Sequence, residues 1–170
     1  MTLCLDIGSF QYKAEFGGER RRYPARYARA KHFLIGDAFE ALPLGARADE
    51  LQPFSGPFLL NHEVFRAQLG DLLAQLRVDP ARTDLRCTLQ PFTPAALVED
   101  FCQLALRQLG FASLYLDTPL AFLQYHPRVA QASGAAVALC DLGNSQQLCA
   151  LASFGHIVAP SIRRNDCGGL

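Results

Sequence analysis

Asp6 and Asp141 close two apolar runs of the same design. Each is followed by one apolar residue, a glycine and a small polar turn. The first segment is Leu3-Cys4-Leu5-Asp6-Ile7-Gly8-Ser9, and the second is Val137-Ala138-Leu139-Cys140-Asp141-Leu142-Gly143-Asn144-Ser145. A buried strand ending in Asp-x-Gly puts a carboxylate and a tight turn at the mouth of a sheet. Glycine allows positive φ and close backbone approach, and the turn amides can cradle phosphate oxygens. A strand-like stretch follows each turn, residues 11–16 and 147–154, so each segment reads as the tip of a β-ribbon. Two such ribbons facing each other can clamp the phosphate tail and metal of one nucleotide. The plain alternative is a pair of ordinary strand-end turns.

The elements that must position these tips alternate along the chain. Residues 3–6 and 11–16 form a hairpin, and Gly17-Gly18 turns the chain into a third strand, residues 21–27, kept near a sheet edge by Pro24. Residues 43–57 hold three prolines and two glycines and read as loop. Asn61 caps a helix running to about Val78, with Phe65, Leu69, Leu72, Leu73 and Leu76 as its apolar stripe. A short buried strand spans residues 86–90. Thr93-Pro94 then starts a helix with Leu97, Phe101, Leu104, Ala105 and Leu109 on its buried face, stopped by Gly110. A strand at 113–116, a short helix at 120–125 and a meander over 135–141, 147–154 and 156–161 complete the chain. The order predicts an α/β fold, a mixed five-stranded sheet with flanking helices, as a single lobe over 1–170 with a short insertion region at about 19–57.

Composition narrows the function. Half of the 170 residues are hydrophobic and 19% are charged, an ordinary globular balance. Net charge is zero, so nucleic acid and anionic membrane are not expected partners. Arg20-Arg21-Arg22 reads as an exposed strand face. The six cysteines show no CxxC and no zinc spacing, and most lie in apolar patterns, where free cysteine acts as a small hydrophobe; Cys140 reads as a packed core thiol. With no charged leader ahead of Leu3 and no apolar run long enough for a bilayer, a reducing, cytoplasmic setting is expected. His32, His62, His126 and His156 are scattered in loop-like contexts and read as surface or turn residues.

The joints between these elements resemble the first lobe of actin and actin-related proteins. The run Leu5-Asp6-Ile7-Gly8-Ser9-Phe10-Gln11-Tyr12-Lys13-Ala14-Glu15-Phe16-Gly17-Gly18 is similar to that family's first phosphate loop. Tyr23-Pro24, the segment Thr88-Leu89-Gln90-Pro91-Phe92-Thr93-Pro94 and residues 112–125 follow the family's pattern. Asp141-Leu142-Gly143 stands where its second phosphate loop belongs, and Ser153-Phe154-Gly155-His156 is similar to the turn after it. The resemblance implies an actin-like ATPase fold of RNase H type, with both ribbons in one core on opposing sides of a shared crevice. It implies ATP or ADP with Mg²⁺ as cofactor. Asp6 and Asp141 would act on the metal through waters, Gly8, Ser9 and Gly143 would offer amides to phosphate, and Lys13 would place a charge near the β-phosphate.

Departures from the family pattern set further expectations. The second phosphate loop has Ser145 in place of a glycine and Leu148 in place of a histidine, and Pro119 falls where the family has a water-positioning glutamine. Proline cannot orient water and leucine cannot pass a proton, so no catalytic residue is assigned and hydrolysis is expected to be impaired. Asp117 and Thr118 read as the start of the following helix. The chain stops at Asp166-Cys167-Gly168-Gly169-Leu170, where the family's second lobe opens, so nucleotide binding is expected to be weak or lost. The expected role is cytoskeletal or complex-scaffolding, through protein partners or self-assembly. The competing reading is the N-terminal half of an actin-fold, filament-forming ATPase. A lobe of a sugar kinase, heat-shock chaperone or bacterial cell-division ATPase is a third.

Overall fold

The computed structural model describes residues 1–29, 32–43, 45, 50–123, 126–131, 136–143, 145–154 and 156–166. The tail at 167–170, Tyr125, Asn144 and Gly155 lie outside the described residues. Strands β1 (Thr2–Ile7), β2 (Gln11–Phe16) and β3 (Glu19–Pro24) form an antiparallel meander. Next come β4 (Tyr27–Arg29), β5 (Phe33–Leu34), α1 (Gly36–Glu40) and β6 (Glu50–Leu51), where β4 pairs with both β5 and β6. A small ribbon, β7 (Phe54–Ser55) and β8 (Phe58–Leu59), leads into α2 (His62–Gln75). Asn61 caps α2 as its sequence predicts, its side chain accepting from the Val64 amide at 3.1 Å.

Strand β9 (Asp84–Thr88) runs parallel to β1, and β10 (Ser113–Asp117) runs parallel to β9 on its far side. The sheet order is therefore β10-β9-β1-β2-β3, the mixed five-stranded sheet expected. Between β9 and β10 lies α3 (Ala95–Gln103), which widens into a π-type turn over Leu104–Gln108 and ends at Gly110, φ +77°. Thr93 does not cap α3; its hydroxyl donates to the Gln90 carbonyl at 2.6 Å.

Strict alternation along β1 puts Leu3, Leu5 and Ile7 on one face, where they join Tyr12, Leu85 and Cys87. The stripes of α2 and α3 pack on that face through Phe65, Leu69, Leu72, Phe101 and Leu104. The tyrosines of β2 and β3 are anchored there too. Tyr12 donates to Gln68 Oε1 and Tyr23 to Asp71 Oδ2, both at 2.7 Å. The opposite face carries Cys4, Asp6, Lys13, Glu15, Arg20 and Arg86, and a cavity of about 800 Å³ lies over it. Among the described residues, then, the two long helices cover one face only, although parallel strands are usually buried on both.

After α4 (Pro119–Leu123) and α5 (Pro127–Ala130) the chain builds a second sheet from β11 (Ala136–Leu142), β12 (Gln147–Ser153), β13 (His156–Ile157) and β14 (Arg163–Asn165). Strand β12 pairs with β11 on one side and with β13 and β14 on the other. This sheet has its own apolar cluster: Leu120, Val129, Leu139, Leu148, Ala150 and Ala152. The two Asp-tipped ribbons thus stand in separate sheets over separate clusters. The expectation of one shared core is corrected. Among the described residues the inward side chains of β11 and β12 cluster with Leu120 of α4 and Val129 of α5, while α2 and α3 pack on the five-stranded sheet.

Candidate functional site

Although their sheets differ, the tips of both ribbons line one crevice of about 300 Å³. Asp6, Gly8, Ser9, Lys13, Asp141 and Gly143 all contribute to its wall, with Gln90 and Gln146. Ser9 and Ser145, 136 positions apart, touch through their hydroxyls across it. That contact ties the two turns directly.

Each carboxylate is placed by its strand. Asp6 sits one residue before the end of β1, on the open face, opposite Lys13 in the β1–β2 register. Lys13 Nζ donates to Asp6 Oδ2 at 3.1 Å. Thr88, at the end of β9, donates through Oγ1 to Asp6 Oδ1 at 3.0 Å and accepts the Ile7 amide at 2.9 Å. Thr88 therefore serves as both strand terminator and carboxylate anchor. Asp141 occupies the corresponding place on β11, but its register partner is Leu148, fully buried in the second cluster. Burial pushes the Asp141 carboxyl above the ordinary carboxylate range. The negative charge of Asp6 adds to the rise, and Lys13 opposes it.

The glycines are needed for closeness, not for handedness. Neither Gly8 nor Gly143 has positive φ. A Cβ on Gly8 would stand 2.8 Å from the Gln11 carbonyl oxygen, and one on Gly143 would stand 3.0 Å from that of Gln146. The Gly143 amide donates to that Gln146 oxygen at 2.9 Å. Each ribbon therefore folds its tip over a glutamine three residues on, and both read Asp-x-Gly-x-x-Gln. That shared glutamine was a legible signal, and sequence reasoning passed over it.

Gln146 is buried, 4% exposed, and its Nε2 donates to Gln90 Oε1. Its own Oε1 is buried without a hydrogen-bond partner. Thr88 and Gln90 join the site with no signal in the sequence, and Gln146 joins it through the shared Asp-x-Gly-x-x-Gln pattern. Pro119 lies beside the site, lining the open-face cavity together with Asp6, Lys13 and Asp141. Thr118 accepts the Ala121 amide at 3.2 Å and Asp117 accepts the Thr118 amide at 2.7 Å. Thr118 starts the helix as expected, while Asp117 is the last residue of β10 and braces the turn into it. His126 plays a similar part at α5, its Nδ1 accepting from the Arg128 amide. Among the described residues no three His, Cys, Asp or Glu side chains converge as a metal cage. Among the described residues no helix is long and apolar enough to cross a membrane.

No family model matches the chain. It is similar to the actin-related protein 6 of Neurospora crassa, 28% identical over 189 aligned positions that cover 99% of this chain and 42% of that protein. The chain thus spans less than half the length of the curated relative it matches.

Proposed function

We propose that this chain is an actin-like lobe that holds the phosphate tail of a Mg-nucleotide weakly and works mainly as a scaffold for protein assembly. One observation carries the nucleotide reading: Asp6 and Asp141, on separate sheets, converge on one crevice with Lys13 and two glycine-tipped turns. The residues fit such a group. Two carboxylates share a small space, and one is pushed toward its neutral form partly by the other, a conflict that a divalent cation relieves. Among the described residues no third acid joins Asp6 and Asp141, so the cation would be held through waters and phosphate oxygens. The orphaned Gln146 Oε1 is an acceptor that such a water would satisfy. Mg²⁺, when bound, supplies charge neutralisation for the phosphates.

Size limits what is recognised. A crevice of about 300 Å³ stands at the lower end for small-molecule sites. It takes phosphates and their metal, and leaves base and sugar outside. Hydrolysis has little support, because Leu148 is sealed in the second cluster and Pro119 offers no donor. The scaffold reading rests on the similarity to an actin-related protein and on the open face of the five-stranded sheet, where Phe122 and Leu123 lie beside Arg20, Arg22 and Arg86. A partner segment would cover that face.

Calorimetric titration of the 170-residue chain tests the nucleotide reading. Mg-pyrophosphate and Mg-ADP are expected to bind with similar affinity, micromolar or weaker, and only with the metal present. Sub-micromolar Mg-ADP binding, or no metal-dependent pyrophosphate binding at all, refutes it.

A further inference from the structure

Cys140 and Cys149 are exposed, and they face each other across β11 and β12 as register partners. Cys149 Sγ–H donates to Cys140 Sγ at 3.3 Å. Among the described residues no other two cysteine sulfurs are in hydrogen-bond contact. We infer that these two residues form a dithiol modification site that closes reversibly to a cross-strand disulfide in exchange with a low-molecular-weight disulfide of the glutathione class. The inference is independent of the nucleotide reading.

The ribbon's hydrogen-bond pattern places the pair well. The Gly143 amide bonds to the Gln146 carbonyl, which marks residues 143 and 146 as a hydrogen-bonded pair. Antiparallel pairs alternate, so 141 with 148 is hydrogen-bonded and 140 with 149 is not. A second observation agrees. Leu151, opposite Ala138 in the same alternation, turns its amide to Ser161 Oγ and its carbonyl to the Val158 amide, both away from β11. Non-hydrogen-bonded pairs bring Cα atoms to about 4.5 Å, within the reach of a disulfide, about 4.4–6.8 Å.

The pair also has access and a clean neighbourhood. On β12 the even-numbered residues Leu148, Ala150 and Ala152 are buried, while Cys149 and Leu151 point outward. Asp141 and Leu148 lie between the cysteines in sequence but on the inward side. A link therefore clamps the ribbon that carries Asp141 and Gly143 without entering the crevice. The hydrogen bond to Cys140 holds the Cys149 thiol above its ordinary range, so exchange speeds up in alkaline solution.

The chemistry balances as ordinary thiol–disulfide exchange. One thiolate attacks a sulfur of oxidised glutathione. The glutathione S–S bond breaks, a mixed disulfide forms, and one glutathione thiolate leaves and takes up the released proton. The second cysteine thiolate attacks the protein sulfur of the mixed disulfide, the Cys140–Cys149 bond forms, and the second glutathione leaves. Two protein thiols lose two electrons and one glutathione disulfide gains them.

The test equilibrates the full 170-residue chain with glutathione buffers of graded ratio, then quenches with acid and alkylates. No Lys or Arg lies between Val129 and Ile162, so both cysteines fall in one tryptic peptide, which when linked carries no alkyl group and is two hydrogens lighter than the dithiol. The link is expected to form at least about tenfold more favourably in buffer than in guanidinium, a potential about 30 mV more reducing. Cys149→Ser is expected to stop at glutathionylated Cys140. Equal linkage in the two solvents, for whatever reason including loss of the fold, overturns the inference. So does accumulation of glutathione on both cysteines of the unmodified chain.

Discussion

Replacing Thr88 by valine isolates the anchoring of Asp6, because valine keeps the shape and deletes one oxygen. Thr88 is 6% exposed, and its hydroxyl links the Ile7 amide at 2.9 Å with Asp6 Oδ1 at 3.0 Å. Ile7 is 4% exposed, so its amide loses its acceptor where water has little access. A buried donor left unmade costs about 1–3 kcal/mol. Asp6 is far more exposed, and water takes over much of the hydrogen bond it loses, so its share is about 0–1 kcal/mol. The expected sum for Thr88→Val is about 1–4 kcal/mol. In a chain of this size that lowers Tm by roughly 2–16 °C. Thr88→Ser keeps both hydrogen bonds and loses one methyl, which costs about 1 kcal/mol. Urea denaturation followed by circular dichroism separates the two. Mg-pyrophosphate affinity is expected to fall in the valine variant and hold in the serine one. If valine is as stable as serine or more so, the hydroxyl is not an anchor and the reasoning fails.

Asp141→Asn is expected to stabilise the free chain at neutral pH. A carboxyl raised in the folded state is penalised once ionised, so the gain is full above its folded pKa and fades as pH falls toward the unfolded carboxylate value; thermal melts between pH 4 and 8 that show the opposite trend would count against it. Lys13→Met should move Tm by no more than about 2 °C, since both partners of its ion pair are well exposed, while Mg-pyrophosphate binding in a titration drops about tenfold. Gly8→Ala should cost about 1–3 kcal/mol because its Cβ meets a backbone oxygen that cannot step aside. Gly70→Ala, with open space on exposed α2, should gain about 0.5–1 kcal/mol in the same denaturation assay. Leu148→His should cost about 2–4 kcal/mol by burying a polar ring in the second cluster, and a phosphate-release assay should show no gained hydrolysis.

Much of this architecture is local and therefore legible. The stripe of α2 follows from a period of 3.6, its start from the Asn61 cap, and the β1–β2 hairpin from alternation around a short turn. Both Asp-x-Gly tips stood out because strand, acid and glycine are neighbours in the chain. Cys140, which reads as a packed core thiol, is exposed for the converse reason, whereas Cys87 is buried as its apolar pattern implies. An apolar run says that a strand is half buried, but not which half. Cys140 and Cys149 proved to face outward with register partners of their own kind. For Gly8 and Gly143 the sequence allows positive φ or close backbone approach, and it is close approach, to a carbonyl oxygen across the turn, that requires them.

Sequence by itself located the main helices and strands and put an acid and a glycine at each ribbon tip, since backbone stereochemistry and side-chain periodicity act over a few residues; the two-residue strands Glu50–Leu51 and Phe54–Ser55, in a stretch that reads as loop, are too short to carry such a pattern. Tertiary structure alone decided that the ribbons stand in different sheets and still share a crevice, that Thr88 holds Asp6, and that Gln146 is buried with an unanswered oxygen. Those outcomes depend on contacts between residues 56 to 136 positions apart. Such contacts are set by how whole layers pack, and no local pattern carries that information.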